Sequence, residues 1–133
     1  MAHLGGPCSL EEKKCVIRGF NIDGNVLNES EASTIREIVN DLNKYGKSGT
    51  IDIIGHTDST GSQKHNLKLS ETRAKNFARL MREFGLDKRF SFGKIKGEGA
   101  NSPVDTDDRV DGRYNNRRVE ILLNNVEFET SGK

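Results

Sequence analysis

The stretch TIDIIGHTDSTGSQKHNLKLSETRA, residues 50–74, decides the fold of this chain. Its first five residues, 50–54, are mostly β-branched, which is typical of an inner strand. The next seven residues, 55–61, begin and end with glycine and carry one acid, Asp58, so they indicate a loop. The rest of the stretch has helical periodicity, so it predicts a strand, a loop and the start of a helix.

The predicted helix covers residues 62–84, with Ser62 as its N-cap and Gly85 as its stop. On a helical wheel the core-facing stripe contains four apolar residues: Phe77, Leu80, Met81 and Phe84. Towards the start of the helix the same stripe continues with three polar residues: Asn66, Ser70 and Arg73. Burying an unpaired charge is costly, so these residues either have partners or face water where the helix leaves the core.

The loop acid and the helix arginine suggest a binding site. Asp58 lies at the carboxyl end of the predicted inner strand, where ligands of α/β folds tend to bind. Arg73 has a planar fork of donors that matches a carboxylate. The two side chains either form a plain internal salt bridge or hold the ammonium and carboxylate ends of one small zwitterion.

The remaining elements are predicted from shorter patterns. Asn28 and Glu31 have the spacing of a capping box, and Gly46 can end the helix that they begin. That helix has one apolar stripe, formed by Ile35, Ile38, Val39 and Leu42. The other elements are a first strand (residues 14–22), a third strand (89–98), a polar loop (99–116), and a last strand (117–123) with Val119, Ile121 and Leu123 on one face, followed by a turn at Asn124 and Asn125.

This order, β-α-β-α-β-β, implies an α/β sandwich in which one mixed four-stranded sheet packs against two main helices. The 133 residues suffice for one domain with a modest core. We assign residues 1–13 to a leader, 14–128 to the domain and 129–133 to a C-terminal tail.

Composition excludes several classes of protein. The net charge of +1 lacks the basic excess of a nucleic-acid binder. No apolar run approaches a transmembrane helix, and no signal peptide is visible. Cys8 and Cys15 can form a local disulfide in an oxidising compartment or remain as two thiols, because spacing alone does not fix their geometry. They lack the histidine cluster that a zinc site would need.

The combined motifs resemble the OmpA-like C-terminal domain, the peptidoglycan-associating domain of outer membrane protein A, the Pal lipoprotein and the MotB stator protein. The resemblance covers residues 20–123. It is carried by these motifs: Gly55-His56-Thr57-Asp58, Asn66, Leu69-Ser70, Arg73-Ala74, Gly97-Glu98-Gly99, Pro103, Gly112-Arg113 and Asn116-Arg117-Arg118-Val119-Glu120.

The resemblance implies a non-catalytic module that binds the peptide stem of peptidoglycan. The family ligand, meso-diaminopimelate, ends in an ammonium and a carboxylate on one carbon. By resemblance, Asp58 accepts the ammonium and Arg73 pairs with the carboxylate. The other site positions that the resemblance implies are three that line the pocket (Thr57, Asn66 and Leu69), one that supports it (Arg117), and Asp23 after the first strand.

Two segments depart from the family pattern. The first strand reads Phe20-Asn21-Ile22-Asp23, without the usual second aromatic residue, which weakens Asp23 as a site residue. The loop at residues 105–112 is unusually acidic but lacks the terminal glutamate of an EF-hand, so a solvated loop is favoured over a calcium site.

The resemblance also sets expectations for partners and location. The partner is peptidoglycan with a diaminopimelate-containing stem, with no nucleic acid, cofactor or metal. We expect the domain to be periplasmic, attached to the outer membrane through a missing N-terminal anchor or barrel, and able to form a homodimer.

The same residues allow three other interpretations. A hydrolase would use His56, Asp58, Ser59 or Ser62, but no nucleophile elbow is present. A metal site from His56, Asp58 and His65 lacks helical pair spacing. A structural or protein-partner domain, with Asp58 bridged to Arg73 and no ligand, is the main alternative.

Overall fold

The computed structural model describes residues 6–18 and 29–128 of the chain. Within these residues the strands are β1 (Cys8–Ser9), β2 (Lys14–Arg18), β3 (Gly46–His56), β4 (Phe90–Gly97) and β5 (Arg118–Phe128). The helices are α1 (Glu29–Tyr45), α2 (Gln63–Glu83) and α3 (Val110–Asn116).

The strands form one mixed sheet with the order β1-β2-β5-β3-β4. Strands β3 and β4 are parallel, as a strand–helix–strand crossover through α2 requires, and the other pairs are antiparallel. The predicted α/β sandwich is confirmed, with β3 as an inner strand. The sheet has a fifth strand that we did not predict, because the two residues of β1 are too few to show a period.

A disulfide joins Cys8 to Cys15, which face each other across β1 and β2. Of the two states that spacing left open, the structure therefore contains the disulfide. Cys15 is fully buried and packs in the core. The predicted domain boundaries, residues 14–128, stay a prediction.

The ends of the two long helices follow local signals. Ser62 precedes α2, and its hydroxyl accepts a hydrogen bond from the His65 amide at 3.1 Å, as predicted. At the other end Leu86 N donates to Met81 O across Gly85, which closes the helix. The predicted stripe of α1 is buried, whereas its predicted N-cap, Asn28, lies outside the described residues.

The predicted strand ends need correction. β3 begins at Gly46, which therefore starts a strand rather than only ending a helix. The turn predicted at Asn124 and Asn125 is wrong, since both lie inside β5 and Asn125 pairs with Thr50. Pairing with β3 along nearly all of β5 overrides the local turn preference of asparagine. Val119, Ile121 and Leu123 are buried, as predicted.

The polar loop predicted at residues 99–116 contains the seven-residue helix α3. Its sequence, VDGRYNN, buries only Gly112 and Asn116 and so carries no apolar stripe. In the described part of the chain, no helix has the length and apolar character needed to cross a membrane.

The core lies between the sheet and helices α1 and α2. It is formed mainly by aliphatic and aromatic side chains, among them Ile35, Val39, Leu42, Ile51, Ile53, Phe77, Met81, Phe90, Ile121 and Leu123. Since α2 connects the parallel strands β3 and β4, its first turns lie at the carboxyl ends of both strands.

Candidate functional site

The loop after β3 is held in place from the neighbouring strand. Thr57 N donates to Gly99 O at 2.8 Å, and Glu98 N donates to Gly55 O at 2.9 Å. These bonds join the end of β3 and the first residue after it to the residues that follow β4. Asp58 therefore stands on a fixed loop at the carboxyl ends of two parallel strands, which is the edge where α/β folds place ligands.

The carboxylate of Asp58 is buried, with 2% of its surface exposed, and both of its oxygens accept hydrogen bonds. Thr60 N donates to Oδ1 at 2.9 Å, and Arg117 Nη1 donates to Oδ2 at 2.9 Å. Burial alone would raise the pKa of Asp58, but the bonds from Thr60 and Arg117 outweigh it and lower the pKa below its ordinary value. Asp58 is therefore ionised at neutral pH.

Asp58 forms an ion pair with Arg117. The salt bridge between Asp58 and Arg73 that we considered as an alternative stays a prediction. Arg117 lies at the C-cap of α3, directly before β5, and 16% of its side chain is exposed. Because β5 lies beside β3, it brings this arginine to an acid that is 59 residues away in sequence.

Helix α2 packs closely against β3 and β4 at Ser70, where glycines of both strands leave room for the helix. A Cβ atom at Gly55 would collide with the Ser70 carbonyl oxygen, and one at Gly97 would collide with the Ser70 side chain. The Ser70 hydroxyl also accepts a hydrogen bond from Gly99 N at 2.9 Å. The glycines on β3 and β4 are therefore needed for close packing of α2.

This packing buries the polar stripe of α2. Asn66, Ser70 and Arg73 are each at most 4% exposed, so they continue the core stripe and do not face water. Asn66 Nδ2 donates to Asp58 O at 3.4 Å, which brings the helix to the loop. Arg73, at 1% exposed, is among the largest fully buried side chains. Leu69 is 7% exposed on the same helix.

The structure thus assembles most of the predicted site residues. Thr57, Asp58, Asn66 and Arg117 meet at one end of the sheet. The Thr57 hydroxyl is buried and makes no hydrogen bond within the described part of the chain. Asp23 lies outside the described residues.

Comparison with known proteins gives the family. The sequence matches the model of the OmpA family over residues 19–117. The chain belongs to the OmpA family. The resemblance that its motifs predicted is confirmed.

Individual relatives agree with this assignment. The OmpA-family chain is 33% identical over 104 residues to the probable lipoprotein YiaD of Escherichia coli K12, covering 78% of this chain and 46% of YiaD. It is 31% identical over 124 residues to the peptidoglycan-binding protein ArfA of Mycobacterium tuberculosis H37Rv, covering 90% of this chain and 37% of ArfA. The chain therefore spans less than half the length of these curated relatives.

A solved structure shares the fold. The cell wall anchor of the T6SS from Pseudomonas aeruginosa superposes with a TM-score of 0.67 at 27% identity, covering 88% of this chain and 81% of that one.

The OmpA-family domain also contains a hydrogen-bond network around Asn116 and Asp107, here called the brace, that the sequence did not reveal. Asn116 is fully buried, and its Oδ1 accepts hydrogen bonds from Val104 N at 2.8 Å and Asp105 N at 3.0 Å. Its Nδ2 donates to Asp107 Oδ1 at 2.8 Å, while Asp107 Oδ2 accepts from Ser59 N at 3.1 Å. The acidic loop that we predicted to be solvated therefore supports the Asp58 loop. The available signal in the sequence was Asn116 in the Asn116-Arg117-Arg118 motif.

A second buried polar cluster lies beside the site, where β3 pairs with β5. Arg118 Nε donates to Glu120 Oε2 at 2.7 Å, and His56 Nε2 lies 3.9 Å from the same oxygen. Burial lowers the pKa of His56 to about 4, with a further contribution from the charge of Arg118. Within the described residues neither ring nitrogen of His56 makes a hydrogen bond.

Proposed function

We propose that this OmpA-family domain binds peptidoglycan non-covalently, by holding the zwitterionic end of diaminopimelate in the peptide stem. One observation carries the proposal. Asp58 is ionised and held in a fixed position beside the polar stripe of α2, and Arg73 belongs to that stripe. Two similar proteins support the proposal, because ArfA is a peptidoglycan-binding protein and the P. aeruginosa structure is a cell wall anchor. The domain is a binding module and not an enzyme.

Asp58 accepts the ammonium of the ligand. A carboxylate has about four acceptor positions, and Thr60 and Arg117 occupy two of them. Arg117 keeps the carboxylate ionised and oriented, so its part is to position Asp58. The remaining acceptor positions suit a compact ammonium group.

Arg73 binds the ligand carboxylate through its planar guanidinium, which can donate two parallel hydrogen bonds. Thr57 and Asn66 lie next to Asp58 and supply polar groups, and Leu69 supplies an apolar wall. We assign Asp23 to the same pocket from its family position.

Both charged groups are buried in the structure as described, Asp58 to 98% and Arg73 to 99% of their surface. A ligand therefore reaches Asp58 and Arg73 only when the protein atoms that cover these two side chains move aside. Once inside, its charges are paired in a low-dielectric environment, where such pairs are stronger than in water. This arrangement favours a small end group over a long charged chain.

Calorimetric titration with a soluble muropeptide that contains diaminopimelate tests the proposal. We expect the wild type to bind with a dissociation constant from about 1 μM to 1 mM. The near-isosteric Asp58→Asn, as well as Asp58→Ala and Arg73→Ala, should abolish binding. Circular dichroism shows whether each variant is folded, and Lys47→Ala at the opposite end of β3 serves as the control. No heat from a folded wild type would overturn the proposal.

A structural or protein-partner domain is the second candidate. The pair between Asp58 and Arg117 and the burial of Arg73 favour it, since internal ion pairs need no ligand. In that case the wild type binds no muropeptide, and the Asp58 and Arg73 variants are merely less stable. Mass change of the muropeptide is recorded in the same experiment, and hydrolysis would instead indicate an enzyme.

We place the domain in the periplasm as part of an outer-membrane protein. YiaD, named a probable lipoprotein, supports this location. The disulfide between Cys8 and Cys15 supports it independently, because disulfides persist in oxidising compartments such as the periplasm.

A further inference from the structure

A concave surface lies between α2 and β4. This lysine groove has a volume of about 550 Å³ and is lined by Lys64, Leu67 and Lys68 of α2 and by Lys96 and Gly97 of β4. Its volume is within the range of small-molecule clefts. Strand β4 is the edge of the sheet, so the groove is open to a ligand from outside.

The groove carries a positive charge. Lys64 and Lys68 are exposed and form no ion pair within the described ranges. Lys96 pairs with Glu98 at 3.1 Å. Glu71, the acid at the far end of the groove, is 3.7 Å from Lys75 outside it. The two free ammonium groups are therefore available to an anion.

Helix stability does not explain these lysines. Lys64 lies in the first turn of α2, which contains no acid, and cations are unfavourable at a helix N-terminus. Lys68 lies four residues further on, where a like charge repels Lys64. A local conflict of this kind is expected at functional positions, where binding is favoured over stability.

The groove adjoins the proposed diaminopimelate site. Gly97 pairs with Gly55, so the groove is at the same end of the sheet as Asp58. Leu67 in the groove directly follows Asn66, whose amide reaches Asp58. The groove begins at Gln63, the first residue of α2, so a chain leaving the site can pass the end of the helix.

We propose that the lysine groove binds the remaining carboxylates of the same peptide stem, and this rests on the proposed function. Besides diaminopimelate, a stem peptide carries a free carboxylate on its glutamate residue and another at its C-terminus. Lys64 and Lys68 pair with these groups, and Leu67 contacts the alanine methyl groups. Lysines suit this task because their charge is compact and their stems are flexible.

Calorimetry with two ligands tests the groove. Free meso-diaminopimelate reaches only the Asp58 site, whereas a glutamate-containing muropeptide reaches both. Lys64→Gln/Lys68→Gln should weaken muropeptide binding about tenfold, the size of two exposed ion pairs, and leave diaminopimelate binding unchanged. The matched control is Lys47→Gln/Lys88→Gln, which removes two exposed charges at the opposite end of the sheet.

The outcomes separate the two proposals. A wild type that binds neither ligand overturns the proposed function itself. If the wild type binds both ligands and Lys64→Gln/Lys68→Gln binds the muropeptide with unchanged affinity, the groove proposal fails and the proposed function stands. Equal losses for both ligands in that variant also overturn the groove proposal, because the lysines would then act on the Asp58 site. Thermal unfolding should show the variant to be at least as stable as the wild type, so misfolding does not explain a loss of binding.

Discussion

At the scale of single residues, the pair between Asp58 and Arg117 sets the charge of the site. Arg117→Ala leaves the buried carboxylate with the hydrogen bonds from Thr60. We expect the pKa of Asp58 to rise and the free energy of unfolding to fall by about 2 kcal/mol. Carbon NMR of the Asp58 carboxyl during a pH titration measures the pKa, and urea unfolding measures the free energy of unfolding.

The exposed pair between Arg79 and Glu83 on α2 is the control for this prediction. Arg79→Ala should change stability by less than about 0.5 kcal/mol, since exposed pairs contribute little. An Asp58 pKa that stays low in Arg117→Ala would show that the backbone bond from Thr60 suffices.

A substitution at Arg73 tests whether muropeptide binding depends on the planar geometry of the guanidinium or on its charge alone. Arg73→Lys keeps the charge but loses the planar fork, so muropeptide binding should weaken by about 1–3 kcal/mol. Calorimetry on the folded variant measures this difference. Near-wild-type affinity would mean that Arg73 acts only as a point charge.

At the scale of elements, the contact between α2 and β3 positions the whole site. Gly55→Ala forces a Cβ against the Ser70 carbonyl oxygen, so the helix must move away from the strand. We expect a loss of about 1–3 kcal/mol in urea unfolding, together with weaker muropeptide binding. Lys94→Ala, on the exposed side of β4, should be nearly neutral. Unchanged stability of Gly55→Ala would disprove the close contact.

The elements show which parts of the fold the sequence can predict. Helix α2 was predictable because Ser62 and Gly85 mark its ends locally. The continuation of β5 through Asn124 and Asn125 was not, because it depends on pairing with β3, a strand far away in sequence. Helix α3 and strand β1 are too short to show a period.

The same limit applies to the site. The polar stripe of α2 and the acid after β3 are local patterns, and they indicated Asp58, Asn66 and Arg73 as candidates. The pair between Asp58 and Arg117 was not predictable from spacing, because it depends on the position of β5 beside β3 in the sheet. The brace from Asn116 through Asp107 is likewise formed only when the loop folds.

At the scale of the whole molecule, buried His56 makes stability depend on pH. Its pKa is about 4 when folded and about 6.5 when unfolded, so the unfolded state binds more protons between these values. Stability should therefore fall by up to about 3 kcal/mol as the pH drops from 6.5 to 4. The charges that face His56 are Arg118, Glu120, Glu98 and Lys14.

Urea unfolding from pH 8 to 4 checks this expectation. His56→Phe removes the titrating ring and should flatten the curve between pH 6.5 and 4. Below that window Asp58 and Glu120, whose pKa values are lowered, lose their stabilising charge in both proteins. The same slope in His56→Phe and wild type would contradict the assignment.

The central claim is that Asp58 and Arg73 together recognise a zwitterion, and one pair of titrations on the wild type tests it most directly. Two muropeptides are compared that differ only at the third residue, diaminopimelate in one and lysine in the other. Lysine keeps the ammonium for Asp58 but lacks the carboxylate for Arg73. Binding of the diaminopimelate form at least about tenfold tighter, or 1.4 kcal/mol, is the predicted result. Equal affinity for the two would contradict the claim.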